Sequence, residues 1–334
     1  MRIILLITAC LLTAVPGQAQ DLQFADLGTL ELESGEELLD CRIGYRTFGA
    51  LTDSRNNAIL VPTWYGGSSE SWIKRQTELL GEEHGFFVIV VDAIGNGVSV
   101  SPSNSETQGG DAFPEITTRD MVRSQYRLAT EVLGLEHLHA VMGISMGGMQ
   151  SFEWAVLYPD FMDHVVPIAG SPRLGGHDVA LWEAYKRLLA WSAECQCDEA
   201  AQTMMALRLV NGTTSDQASV PADSVSARID RATPGMDPGI AMNLIRQADA
   251  MNATDVTLSF DGDWEAAAEA VKAEMLIIVG SSDHVVTPGP AIAFAGLLGD
   301  KAELVVFEND CGHNIPGCEM FRSRALISEF LRGN

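Results

Sequence analysis

Beyond residue 40 the chain alternates short apolar runs with longer stretches in which apolar residues recur every three or four positions. The runs at 58–61, 86–91, 139–143, 165–169, 275–279 and 304–307 are largely continuous rather than alternating, which predicts strands covered on both faces. Helical spacing predicts helices at 69–80, 118–133, 147–157, 290–298 and 319–331. The second opens on Thr117 and Thr118 as caps, carries Asp120 in its first turn and stops at Gly134. Residues 41–48 alternate loosely and predict an antiparallel strand at the start. Strands interleaved with helices in this way predict an α/β fold, a mostly parallel sheet with helices on both faces.

Residues 173–270 break the rhythm. Val179, Trp182, Tyr185 and Leu189 mark one apolar helical stripe, Met204, Met205 and Leu209 a second, and Leu244 with Met251 a third. Pro221, Pro234-Gly235 and Pro238-Gly239 punctuate the stretch, and no buried strand is expected in it. The expected organisation is a core of 20–172 and 271–334 with a helical lid of 173–270 inserted between two strands. Residues 1–19 read as an export signal: Arg2, an apolar run from Ile3 to Val15, then small residues at Gly17 and Ala19. That run is too short to span a membrane. A periplasmic or secreted protein is expected.

Charge narrows the partners. A formal net charge of −24 opposes binding to nucleic acid or to an anionic membrane surface, and no Lys/Arg cluster offsets it. Export changes the reading of the cysteines. Cys41, Cys195, Cys197, Cys311 and Cys318 remain beyond the signal, an odd number, so a disulfide scaffold is not expected. Cys311 and Cys318 bracket His313 and read as two small, partly buried thiols; a bridge that would stiffen the loop is the alternative. Cys195-Gln196-Cys197 has no nearby cysteine or histidine to complete a zinc site.

The chemistry concentrates in Val141-Met142-Gly143-Ile144-Ser145-Met146-Gly147-Gly148, an apolar strand running through Gly-x-Ser-x-Gly into a helix. This context predicts a sharp turn that holds the Ser145 hydroxyl clear of the sheet under the positive end of the helix. A serine needs a base and an orienter. Asp283 follows the strand at 275–279, and His313 follows the strand at 304–307. All three thus fall at the carboxyl ends of strands, where catalytic groups gather in parallel sheets. Asp310 is a second possible acid, though close to His313 in sequence. The amide of Met146 is one expected oxyanion donor. The other is expected from Trp64 in Pro62-Thr63-Trp64-Tyr65-Gly66-Gly67, with Tyr65 taking the role after a one-residue offset.

Of the other histidines, His84, His137, His139 and His164 lie before, beside or within strands and read as surface or core residues. His177 falls in the expected lid, within reach of a substrate, and His284 adjoins Asp283. Asp261 and Asp263 read as a helix start before Trp264 rather than a metal site. Trp182 and Met205 read either as lid core or as walls of an acyl pocket. Neither a metal nor an organic cofactor is expected.

The runs at 113–122 and 134–138, the stretch from Gly143 to Ala155, Asp92-Ala93-Ile94-Gly95-Asn96-Gly97 with Ser101-Pro102-Ser103, and Gly312-His313 together resemble the homoserine O-acetyltransferase family. The resemblance covers most of the chain outside the signal and lid. It implies an α/β-hydrolase fold with a helical lid, an acyl-serine mechanism, a triad at Ser145, Asp283 and His313, and an oxyanion amide at Trp64. Members are commonly dimers, so it also implies a homodimer. Departures bear on the substrate. Ile144 stands where the family has glycine, Pro62 where it has histidine, and Asn314 where it has an acid. The arginine-tyrosine segment tied to homoserine recognition is not evident between Val210 and Met242. A zwitterion needs a cation for its carboxylate and an anion for its ammonium, and Asn314 supplies no charge. An exported enzyme would also be away from acetyl-CoA. A small acyl ester is therefore the expected substrate, with Tyr65, Ile144 and Asn314 as candidate contacts and water as acceptor. Acyl transfer to a hydroxyl such as that of homoserine is the alternative, and a catalytically silent binding protein is the alternative of another class.

Overall fold

A computed structural model describes residues 21–80, 85–212 and 220–333. The expected signal over residues 1–19 and His84 lie outside the described residues. The strands are β1 (Gln23–Asp26), β2 (Leu30–Glu31), β3 (Glu37–Leu38), β4 (Arg42–Phe48), β5 (Ala58–Pro62), β6 (Phe87–Val91), β7 (Leu138–Ile144), β8 (Met162–Ile168), β9 (Glu274–Gly280) and β10 (Ala302–Phe307). Among the described residues, eight of them form one sheet in the order β1-β4-β6-β5-β7-β8-β9-β10, and β2 pairs with β3 apart from it. From β6 to β10 every neighbouring pair is parallel, while β4 runs antiparallel to β1 and β6. The α/β class expected from the alternating pattern is the one found.

The continuous apolar runs serve two cores. Along β5, Ala58 and Leu60 face one side and Ile59 and Val61 the other, as a two-residue period requires. One core packs Phe152, Trp154 and Phe294 from the helices Met146–Leu157 and Gly289–Leu298. The other packs Trp72, Leu79, Ile327 and Leu331 from the helices Trp72–Leu80 and Met320–Arg332. Each such side chain contributes roughly 1.5–3 kcal/mol by leaving water. The helix expected over 118–133 is α-helical over Thr118–Arg127 and then widens to a π turn over Leu128–Val132. Its start is a capping box, in which Thr117 and Asp120 each accept the other's backbone N–H.

Between β8 and β9 the chain forms the helices Gly176–Cys195, Asp198–Val210, Ala222–Asp230, Pro238–Asn252 and Trp264–Ala270. Gly176–Cys195 packs against Pro238–Asn252. Arg173 Nε donates to Asp255 Oδ2 at 2.8 Å, fastening the entry of this segment near its exit. Asp263 caps the last helix by accepting from Ala266 N at 3.0 Å, a structural use of that acid.

Candidate active site

Parallel strands β5, β7, β9 and β10 all end at one rim of the sheet. From β7 the chain passes directly into the helix Met146–Leu157 through Ser145, which takes φ +58° and ψ −121°. A non-glycine residue in that region is strained and persists only where its surroundings enforce it. The enforcement is visible in the glycines. A Cβ on Gly143 would run into the Gly147 carbonyl, and one on Gly147 would sit 2.5 Å from the Pro62 carbonyl oxygen. The Ser145 amide donates to Ile168 O at 2.8 Å, locking the turn against β8.

His313 sits in a short turn at Gly312–Asn314 after β10. Its Nε2 lies 2.8 Å from Ser145 Oγ, and its Nδ1 lies 2.7 Å from Asp283 Oδ2. An ionised carboxylate only accepts, so Nδ1 carries the proton and Nε2 is left to accept from the serine hydroxyl. Asp283 is 3% exposed, and its Oδ1 accepts from the amides of Val285 (2.8 Å) and Val286 (3.0 Å). Burial pulls the His313 pKa down, but the charge of Asp283 and its hydrogen bond outweigh burial, and the net direction is upward. The structure thus brings the three residues into one hydrogen-bonded chain. Of the two candidate acids, Asp283 is the one that meets His313 Nδ1. Cys311 and Cys318 are joined by a disulfide that brackets His313. Cys195 and Cys197 are joined to each other, and Cys41 is free and buried.

Beside Ser145 lies a cavity of about 260 Å³. Tyr65, Ile144 and Asn314 are in its wall, together with Trp64, Arg75, Trp182, Val285 and Pro316. The wall is mostly apolar. Its one guanidinium, Arg75, is engaged by Glu78 at 3.0 Å and donates to Pro316 O at 3.2 Å. The amides of Trp64, Tyr65 and Met146 donate to no protein acceptor among the described residues. Gly66 N, next along the loop, donates to Gln247 Oε1 at 2.8 Å.

Sequence reasoning missed the residues that hold this loop and its neighbours from the helical segment. Gln247 also donates to Ile94 O at 3.3 Å, and Asn243 Nδ2 donates to Ser103 Oγ at 2.7 Å. Asp178, fully buried, accepts from Thr287 N (3.0 Å) and Thr287 Oγ1 (2.8 Å), four residues past Asp283. No local motif marks such residues, whose partners are distant in sequence. Trp182 forms part of the wall, edge-on to Tyr65 with centroids 4.8 Å apart, whereas Met205 lines a separate cavity inside the helical segment. His177 is not in the wall; its Nε2 lies 3.2 Å from the His284 carbonyl oxygen.

Comparison with known proteins agrees with the geometry. A family described as alpha/beta hydrolase fold matches residues 57–316. A probable esterase of Corynebacterium glutamicum is 39% identical over 161 residues, covering 46% of this chain and 45% of that protein. A homoserine O-acetyltransferase of Chlorobaculum parvum is 34% identical over 186 residues, covering 52% of this chain and 51% of the relative. The matched stretches therefore span about half the length of these curated relatives. The crystal structure of an acetylester hydrolase from Corynebacterium glutamicum superposes with a TM-score of 0.81 at 28% identity, over 93% of this chain and 96% of that one. The resemblance to homoserine O-acetyltransferases expected from the motifs is thus found, alongside a likeness to esterases.

Proposed function

From the premise that the chain belongs to the alpha/beta hydrolase fold family, we propose that it hydrolyses small acyl esters through an acyl-serine on Ser145. One observation carries this reading: the unbroken contact of Ser145 Oγ, His313 and Asp283 at 2.8 and 2.7 Å, opening onto an apolar cavity. Ser145 attacks the ester carbonyl as His313 Nε2 takes its proton, and Asp283 holds the imidazole's tautomer and stabilises the imidazolium. The amides of Met146 and Trp64 receive the oxyanion, each lowering the barrier by about 3 kcal/mol when aligned. His313 then protonates the departing alcohol. Water enters, gives its proton to His313, and the acid leaves as Ser145 is restored.

Water rather than an amino-acid hydroxyl is favoured as acceptor by the wall. Among the described residues it offers no unengaged cation for a carboxylate, and Asn314 supplies a neutral amide where a zwitterion's ammonium would want an acid. The helices over the rim act in this proposal as the lid. Export rests on the pattern of residues 1–19. Sequencing the amino terminus of the periplasmic or secreted protein tests it, with Gln20 expected first. For the activity, purified protein is given short acyl esters in water and, separately, acetyl-CoA with homoserine. Release of acid from the esters without homoserine acetylation is the expected result. The reverse pattern makes it the transferase. Failure of a fluorophosphonate to label Ser145 in folded protein makes it a binding module.

A further inference from the structure

The opposite edge of the same sheet carries a second cluster of ligating side chains. His139, Asp163 and His164 stand at the amino ends of β7 and β8, each offering a ligand atom within 4.8 Å of the others. Ser145 follows His139 by six residue steps along and just past β7, about 20 Å of extended strand.

The hydrogen bonds of the two rings decide which nitrogens are available. His139 Nε2 lies 2.7 Å from the Leu331 carbonyl oxygen, and His164 Nδ1 lies 3.1 Å from the His139 carbonyl oxygen. A carbonyl only accepts, so those nitrogens carry the protons. The lone pairs are left on His139 Nδ1 and His164 Nε2. Donation of the second ring N–H to a backbone carbonyl is the arrangement that orients a metal-binding imidazole and fixes its tautomer. Packing holds the rings as well. Phe86 stacks on His139 at 5.1 Å, and Phe330 meets His164 edge-on at 5.2 Å. Asp163 Oδ1 is held at 3.0 Å by His137 Nε2, and Glu274 Oε2 lies 3.8 Å from His164 Nε2. An open groove of about 420 Å³ gives access to Asp163, His164 and Glu274. The cation in that groove, Lys272, is neutralised by Asp160 at 2.6 Å.

We propose that His139, His164 and Asp163 bind a divalent transition-metal ion, of the kind for which zinc is typical, at the sheet edge opposite the catalytic rim. Two imidazoles and a carboxylate suit zinc, and the exposed Asp163 and Glu274 can close on the ion by side-chain rotation. The site is structural rather than catalytic. Because Leu331 and Phe330 belong to the helix Met320–Arg332, the ion would clamp that last helix to the starts of β7 and β8.

Purified protein stripped by a chelator and titrated with Zn²⁺ tests this. One equivalent is expected to bind and, at about a hundredfold excess over the dissociation constant, to raise Tm by about 5 °C. Co²⁺ in its place is expected to give the visible bands of a four-coordinate ion. Asp163→Asn and His164→Gln are each expected to weaken binding by about tenfold or more and to remove the Tm shift. Ester hydrolysis by the metal-free variants stays at the wild-type rate. His313→Gln is expected to bind Zn²⁺ as the wild type does, which separates this site from capture by the imidazole beside Ser145. Asp163 is exposed, so Asp163→Asn stays informative should His164→Gln fail to fold. Unchanged Zn²⁺ affinity in Asp163→Asn, loss of binding in His313→Gln, or no Zn²⁺ bound by the folded wild type overturns the proposal.

Discussion

The two surfaces that meet at the cavity are built by different rules. On the sheet side, Ser145, Asp283 and His313 sit on short loops whose positions follow from where three strands end, and Asp283 is fixed by the amides two and three residues beyond it. On the helical side, Trp182, Gln247 and Asp178 act through partners far along the chain, such as Gly66, Ile94 and Thr287. Reactivity is concentrated in a few groups that the backbone points; shape and rigidity are spread over many groups that packing holds. Substitutions on the two sides should therefore fail in different ways.

The largest effects belong to the sheet side. Ser145→Ala and His313→Ala are each expected to lower kcat for ester hydrolysis by on the order of 10⁶-fold, with far-UV circular dichroism unchanged. Asp283→Asn should lower it by about 10⁴-fold, because the amide favours the wrong imidazole tautomer. Asp310→Asn should leave the rate intact. A large loss in Asp310→Asn with a normal rate in Asp283→Asn would reassign the acid and break the contrast at its root.

Much of the sheet side could be read from residues alone, for a physical reason. The Ser145 turn is so tight that Gly143 and Gly147 are sterically required, so the constraint is written into adjacent positions. Asp283 and His313 follow continuous apolar runs, which mark buried strands and hence their ends. The short strands β1, β2 and β3 were not anticipated, because two to four residues carry too little periodicity to separate a strand from a loop. The π turn over Leu128–Val132 keeps the apolar spacing of a helix and cannot be distinguished by pattern. Gln247 and Asp178 were invisible because a polar residue on a helix reads as solvent-facing until its distant partner is known. Tyr65, Ile144 and Asn314 were found in the wall only because they neighbour the motif residues.

Gln247 sharpens the comparison, since it is a helical-side residue that holds a sheet-side loop. Gln247→Leu removes the acceptor of the Gly66 amide, a loss of about 0.5–1.5 kcal/mol, and frees the loop that carries Trp64. The expected outcome is a kcat lowered by about tenfold with KM little changed, read by steady-state kinetics. An unchanged kcat would mean that the loop holds its shape without the helices. Trp182 should fail differently. Trp182→Ala enlarges the cavity away from the reacting atoms, so kcat on a two-carbon acyl ester is expected to hold. The ratio of kcat/KM for longer over shorter acyl chains should rise by about tenfold, the scale of one or two methylenes in an apolar pocket. Equal loss across chain lengths would show that Trp182 only supports the helices.

The smallest effect separates two groups whose pKa is raised, His313 beside Ser145 and Glu153 in the helix that follows it. The His313 pKa is raised, and the base must be neutral, so kcat/KM is expected to fall with acid at a midpoint above the ordinary histidine value. The same shift contributes stability in the opposite sense: it is fully present below the unfolded pKa and lost as pH rises through the folded one. Glu153, one turn into its helix beyond Met149, is fully buried, and neither oxygen has a hydrogen-bond partner among the described residues. Burial pushes its carboxyl from 4.5 up to about 8, against the pull of Arg119, whose Nε is 3.7 Å away. A raised carboxyl behaves as the raised imidazole does, so its contribution is present below pH 4.5 and lost as pH rises through about 8. Glu153→Gln should therefore flatten the decline of Tm across that window, while the acid limb of kcat/KM stays where His313 puts it. A limb that moves with Glu153→Gln would tie the base to the helix behind it, and a Tm slope that does not flatten would mean that Glu153 is ionised throughout.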